Sequence, residues 1–295
     1  MKIIIPMSGL GKRFKDVGYT LPKPLIRVEG EPIISHVIDM FPKESDFIFI
    51  CNKDHLITTD MKFILLELAP DAQIIPIDTH DKGPVYATSL VFSSIKDDEE
   101  VLVSYCDYAM ELDINEMLTK VREGNFVGAV PSYTGFHPHL IHKKLYGGIL
   151  TDGNGVMIDY REKHSFTEDP MKSHHSAGAY YFRTGREFKE YSEELLSSNV
   201  AINGEKYTSM LYYLYHRDGK KIYVPEVSRF MQWGAPEDLE EYEAWSRYIH
   251  KKLGEEKGKT DIPESRERYV KIPYDQDSEE FKNSEAYWTD YFTNI

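Results

Sequence analysis

Along the first 130 residues, short apolar runs alternate with stretches whose apolar positions recur at helical spacing. Residues 2–6, 46–51, 73–77 and 101–105 are brief and almost continuously apolar, rich in Ile, Val and Phe. That is the pattern of strands buried on both faces. Residues 33–41, 58–68 and 86–95 carry the helical period instead. Strands separated by helices of about ten residues predict an α/β fold, with a mainly parallel, doubly wound sheet and helices on both sides. Ligands of such sheets gather outside the carboxyl ends of the strands, so the segments following 2–6 and 101–105 are the first places to look for a site.

From 126 to 183 the pattern shifts to strands broken by turn signals, including Gly147-Gly148 and Asp152-Gly153-Asn154-Gly155. A hairpin is predicted over 149–158 and a strand over 176–182. Helical spacing returns at 186–196 and 207–215, a strand follows at 221–224, and 236–250 reads as a helix opened by Pro236 and the acids Glu237 and Asp238. Past residue 250 the composition changes. Residues 251–268 are rich in Lys, Glu and Gly with almost no apolar anchors, which predicts a mobile linker or exposed arm. The aromatics Phe281, Tyr287, Trp288, Tyr291 and Phe292 predict that the end docks. This divides the chain into a main domain, 1–250, and a charged C-terminal extension, 251–295.

Composition narrows the partners. A length of 295 residues allows one sizeable core plus an appendage. There is no apolar run of about 18 residues, and Met1-Lys2 leads straight into a strand, so the expected location is the cytoplasm, without membrane partners. A net charge of −14 disfavours nucleic acid or an anionic membrane as the main partner. Any phosphate site must then be a local cluster of cations. Cys51 and Cys106 each close a strand-like run and are expected as buried free thiols. Homo-oligomerisation is left open.

The candidate chemistry begins where Ile3-Ile4-Ile5 empties into Ser8-Gly9-Leu10-Gly11-Lys12-Arg13, followed by Pro22-Lys23-Pro24. Glycines let backbone N–H groups approach a phosphate, and Arg13 and Lys23 add the charge that a nucleoside triphosphate demands. A dinucleotide fingerprint would need a third glycine where Phe14 stands, and a Walker A loop would need Lys-Ser or Lys-Thr where the chain has Lys12-Arg13. What remains, a strand, Gly-x-Gly-x-Arg and then Pro-Lys, resembles the sugar-phosphate nucleotidyltransferase family, which makes nucleoside-diphosphate sugars from a nucleoside triphosphate and a sugar phosphate.

That resemblance implies a Rossmann-like, GT-A-like mixed sheet, mainly parallel and flanked by helices, with a small β layer over the acceptor site. It assigns Ser8, Gly9 and Gly11 to the nucleotide, Arg13 to its β- and γ-phosphates and Lys23 to the reacting α-phosphate, with Arg13 and Lys23 as the catalytic cations. Gly83, in Lys82-Gly83-Pro84, stands where the family has a loop near base and ribose. Asp107 matches the strand-end aspartate that binds Mg2+, the implied cofactor. At the family's second metal carboxylate this chain has Gln232, a neutral oxygen. On the acceptor side the resemblance points to Glu162 and Lys163, to Ser176 and Gly178, and to Glu205 beside Tyr207. The nearest family members act in bacterial capsule or lipopolysaccharide assembly, which implies CTP ahead of UTP and a phosphorylated sugar or polyol as acceptor. An acceptor phosphate is already ionised near neutral pH and needs no general base, which agrees with candidates that are cations.

Two other readings compete. A glycosyltransferase of the same fold would carry Asp-x-Asp, and Cys106-Asp107-Tyr108-Ala109 lacks the second aspartate. A non-catalytic nucleotide-binding protein would keep the loop without needing Lys23. The histidines His137, His139, His142, His174 and His175 lack a cysteine or glutamate at zinc spacing, and are expected in a solvated loop near the mouth of the site.

Overall fold

The computed structural model describes residues 1–42, 45–141 and 145–293. Its centre is a seven-stranded sheet in the order Ile222–Tyr223, Gly128–Ala129, Ala179–Phe182, Val101–Ser104, Lys2–Met7, Asp46–Asn52, Gln73–Ile77. Only Ala179–Phe182 runs against its neighbours. Alternate residues of one strand enter two different cores: Ile3, Ile5, Phe47, Phe49 and Leu102 face one cluster, while Ile4, Ile48, Ile50, Val101 and Val103 face the other. Two-sided burial is why these strands read as unbroken apolar runs rather than as alternation.

The helical expectations hold with interruptions. Residues 58–68 belong to two helices, Lys53–Thr58 and Met61–Leu68, because Thr59 is extended (φ −140°). Residues 86–95 become Pro84–Ser89 plus a single turn at Phe92–Ser94. The predicted hairpin is present as Gly148–Thr151 and Met157–Arg161, within an antiparallel sheet completed by His174–Ser176 and Ser132–Tyr133. A separate ribbon pairs Arg229–Gln232 with Tyr108–Glu111, placing Gln232 opposite Tyr108. No helix among the described residues is long and apolar enough to cross a membrane. Cys51 and Cys106 are free and buried.

The stretch expected to be an exposed arm is instead tied down. The helix Pro236–Leu253 runs past residue 250 to Gly254, and the chain then lies along the segment after the opening loop. Gly30 N donates to Lys259 O at 2.8 Å, and Asp261 N donates to Arg27 O at 3.0 Å. Arg266 grips the buried Glu240 with two hydrogen bonds, 2.6 and 2.9 Å. These anchors are backbone groups and charges, to which a hydrophobic pattern is blind. The final helix, Glu279–Thr293, buries Phe281, Trp288 and Phe292, with Trp288 edge-on to Tyr242 at 5.5 Å. Removing Arg266 strands a carboxylate in the core, so Arg266→Ala is expected to lower stability by about 3 kcal/mol in chemical denaturation. A change within a few tenths would show that this contact does not hold the extension.

Candidate active site

The opening loop leaves the carboxyl end of Lys2–Met7 and turns at once into the short helix Lys12–Asp16. Gly11, at φ 63°, is the residue that makes this turn, a left-handed conformation that costs glycine little. Phe14 is 2% exposed and pins the helix to the core, which explains an aromatic side chain at that position. Asn52, at the end of the adjacent strand, donates to Ser8 O (3.3 Å) and Thr79 Oγ1 (2.8 Å), while its oxygen caps the next helix at Asp54 N (2.8 Å). Ser8 Oγ lies 3.4 Å from His80 Nε2. One amide thus joins three strand ends. The sequence reading missed Asn52 and His80; the signal for Asn52 was its place as a helix cap straight after a strand.

Lys23 opens a single turn, Lys23–Leu25, held by the buried Pro24 and Leu25. Its ammonium donates to Asp107 Oδ2 at 2.7 Å across 84 residues of sequence. Burial opposes the Lys23 charge, but the field and hydrogen bond of Asp107 outweigh it and hold the pKa above its ordinary value. Burial pushes the neighbouring Cys106 thiol up to about 11, so it stays protonated. Asp107 is fixed from behind, since Trp233 N donates to its carbonyl at 2.7 Å. A Cβ on Gly234 would stand 3.2 Å from Asp107 Oδ2, so the glycine keeps room beside the carboxylate.

Gln232 lines the same cavity as Asp107, and its Oε1 is buried with no hydrogen-bond partner. A carboxylate and an orphaned neutral oxygen suit a hard divalent cation. Among the described residues no group of three or more His, Cys, Asp or Glu could hold a metal.

The cavity has a volume of about 640 Å³ and is lined by Arg13, Asp107, Glu162, Lys163, Ser176, Gly178 and Gln232 among others. Ser8, Gly9, Gly11, Lys23, Gly83 and Glu205 do not line it; Lys23 reaches it through Asp107. In the same lining, Glu162 accepts hydrogen bonds from Tyr160 OH (3.0 Å) and Ser209 Oγ. Lys163 adopts left-handed backbone, φ 52°, just beyond the strand Met157–Arg161. Ser176 Oγ donates to Tyr180 OH at 3.1 Å and accepts from Gly178 N at 3.4 Å. The sequence reading passed over Tyr105, Tyr108, Tyr146 and Phe230, and it took Glu237 and Asp238 only as helix-opening acids; all six line the cavity.

The profile of the MobA-like NTP transferase domain matches residues 3–157, just over half of the chain. The chain belongs to this family. Among curated relatives it is 28% identical over 136 residues to a glucose-1-phosphate cytidylyltransferase of Salmonella typhimurium, covering 39% of this chain and 53% of that one. It is 21% identical over 193 residues to a UTP–glucose-1-phosphate uridylyltransferase of Synechocystis, covering 62% and 49%. The chain therefore spans about half the length of these relatives. A solved nucleoside-diphosphate-sugar pyrophosphorylase from Vibrio cholerae shares the fold, with a TM-score of 0.65 at 20% identity, over 80% of this chain and 97% of that one.

Within this NTP transferase fold Gly83 has a packing role. At φ 84°, its missing Cβ would lie 2.6 Å from Lys206 N and 2.7 Å from Lys206 O. The loop is stitched there by Lys206 N to Lys82 O and Val85 N to Lys206 O, both 3.1 Å, which also sets Glu205 against it. Gly83→Ala is expected to cost more than about 2 kcal/mol of stability; a wild-type melting transition would contradict this.

The histidine expectation is corrected. His137, His139 and His175 are buried, not solvated, because Tyr133 and Phe230 pack against the first two and Tyr287 of the final helix covers His137 at 5.3 Å. His142 lies outside the described residues. His137 Nε2–H donates to Thr134 O at 3.2 Å, and burial above all lowers its pKa to about 4. The unfolded chain binds this proton near pH 6.5 and the folded chain does not, so the stabilisation is complete above 6.5 and is lost as pH falls toward 4. Between pH 7.5 and 5.5 this histidine alone is expected to cost about 1 kcal/mol, and His137→Asn should flatten that slope in denaturant titrations. An unchanged slope would acquit it.

Proposed function

We propose that this chain transfers a nucleoside monophosphate from a nucleoside triphosphate to the phosphate of a sugar or polyol, releasing pyrophosphate. The observation that carries this reading is the Lys23–Asp107 pair at 2.7 Å, with Asp107 lining a cavity that Arg13 and Lys163 also line. Two phosphorylated substrates need cations for each, and a cavity lined by both Arg13 and Lys163 supports that reading. Attack at the α-phosphorus builds charge on its oxygens, and Lys23 is placed to neutralise it while Arg13 holds the departing phosphates. Ser8, Gly9 and Gly11 offer backbone to the nucleotide, and Glu162, Ser176, Gly178 and Glu205 polar contacts around the acceptor. Asp107 and Gln232 would hold Mg2+, which when bound neutralises phosphate charge and polarises the reacting phosphate.

The cytidylyltransferase relative supports CTP ahead of UTP. The reading extends to a cytoplasmic enzyme of surface polysaccharide synthesis, to a catalytic unit 1–250 with 251–295 as its brace, and to a homo-oligomer as an open state. Pyrophosphate release over a matrix of nucleoside triphosphates and sugar or polyol phosphates, with Mg2+, tests it. A productive pair names both substrates, and silence in every combination would refute the transferase reading.

A further inference from the structure

Phe230 and Gln232, which line the active-site cavity, sit on a ribbon of only two strands, Tyr108–Glu111 and Arg229–Gln232, separate from the seven-stranded sheet. Two strands alone make a marginal structure, so the placement of this ribbon comes from what packs on it. Within the main domain, Phe230 stacks on Tyr133 at 4.2 Å, and Trp233 N donates to Asp107 O at 2.7 Å. The first contact locates a ring, and the second locates the chain just beyond Gln232.

A third hold comes from the far end of the sequence. Tyr287, on the last helix Glu279–Thr293, donates its hydroxyl hydrogen to Phe230 O at 2.6 Å. Burial above all keeps this phenol protonated far above its usual range, so it stays a donor. Its ring rests on His137 at 5.3 Å. Further along the helix, Asp290 accepts from Arg229 Nε of the same strand at 3.3 Å. A small cavity of about 30 Å³ is lined by Phe230 and Gln232 together with Tyr287 and Trp288, so the helix lies against two residues that also face the active site. The helix has its own anchors away from the ribbon: Phe281 packs on Trp245 at 5.2 Å and Trp288 on Tyr242 at 5.5 Å. Apolar contacts of that kind dock a helix without direction, and a phenylalanine at 287 would supply them equally well. A hydroxyl on a main-chain carbonyl adds direction instead, because it fixes one strand atom to one helix atom.

We infer that Tyr287 is a positioning residue of the active site: from the C-terminal extension it holds the strand Arg229–Gln232 by its main chain, and so fixes where Phe230 and Gln232 stand relative to Asp107. This rests on the transferase reading and deepens it, since it makes the extension part of the working site and not only a brace for stability. Tyr287 takes no covalent part.

The test compares two variants of the full chain. Tyr287→Phe removes one oxygen and keeps the ring, whereas Phe281→Leu loosens the same helix at its contacts with Trp245 and Tyr248. In Tyr287→Phe, amide hydrogen exchange over 229–233, measured without substrates, is expected to quicken by about fivefold or more, while the central strand 2–7 keeps its wild-type rate. In pyrophosphate release, the Mg2+ concentration giving half-maximal rate is expected to rise by a similar factor. Phe281→Leu should lower the melting temperature and leave both quantities at their wild-type values. Wild-type exchange over 229–233 in Tyr287→Phe would overturn the inference. So would faster exchange with unaltered Mg2+ dependence and rate, because the strand would then be held without consequence for the site. Equal effects in Phe281→Leu would reduce Tyr287 to a structural contact and overturn it as well. If the wild-type chain released no pyrophosphate with any substrate pair, the transferase reading would fail, and the exchange measurement would still decide whether Tyr287 holds the strand.

Discussion

Lys23→Ala is expected to lower kcat for pyrophosphate release by about 10²- to 10³-fold, the scale of removing one well-placed donor from a developing charge. The reasoning is geometric. Lys23 is held by a proline-framed turn whose neighbours Pro24 and Leu25 are buried, so its ammonium is delivered to one spot, 2.7 Å from Asp107. Lys23→Arg should not restore full activity, since a planar fork does not reproduce a compact ammonium. Both partners are about four-fifths buried, at 20% and 23% exposure. The Ala variant should therefore lose only roughly 1–2 kcal/mol of stability, with Asp107 still reached by water. A folded Lys23→Ala protein that turned over at the wild-type rate would remove Lys23 from the chemistry and favour the non-catalytic nucleotide-binding alternative.

Asp107→Asn should be as damaging to kcat/KM, about 10²- to 10³-fold, and should raise the divalent-cation concentration needed for half-maximal rate. It also reads the pair from the other side. In the wild-type chain the raised Lys23 pKa means that its contribution to stability is full below about pH 10.5 and is lost as pH rises past the folded value. Without the carboxylate, burial is left to dominate and lowers the pKa, so stability should rise with pH over the range below about 10.5, where the wild-type contribution is level. Denaturant titrations at pH 8 and pH 10.5 should show a rise in the variant that the wild type lacks; parallel wild-type and variant curves would mean that Asp107 does not govern Lys23.

The parts of this fold legible in the sequence are those where one physical cause acts alone. Ile3, Ile4 and Ile5, and Val101 to Val103, are covered on both faces, and continuous apolarity announces that directly. Legibility fails where a residue's meaning depends on distant chain. Arg266 looked like one more charge in a polar tract until Glu240 was seen beneath it. His137 looked solvated because the rings that bury it, Phe230 and Tyr287, lie about 90 and 150 residues further on. Glu237 and Asp238 satisfied a local rule for helix starts, which hid the fact that they also face the cavity. Asn52 joins three strand ends through hydrogen bonds that no periodicity encodes.

Under the proposed function, bond exchange takes place at the α-phosphorus, with Lys23 and Asp107 beside it and the acceptor phosphate held by Lys163. Phosphorus-31 NMR of the reaction with nucleoside triphosphate, acceptor phosphate and Mg2+ tests this most directly, because the leaving group identifies the phosphorus attacked. The expected spectrum shows a new diphosphate diester and inorganic pyrophosphate growing in equal amounts. Orthophosphate and nucleoside diphosphate appearing in place of pyrophosphate would place the chemistry at the γ-phosphorus and contradict the account.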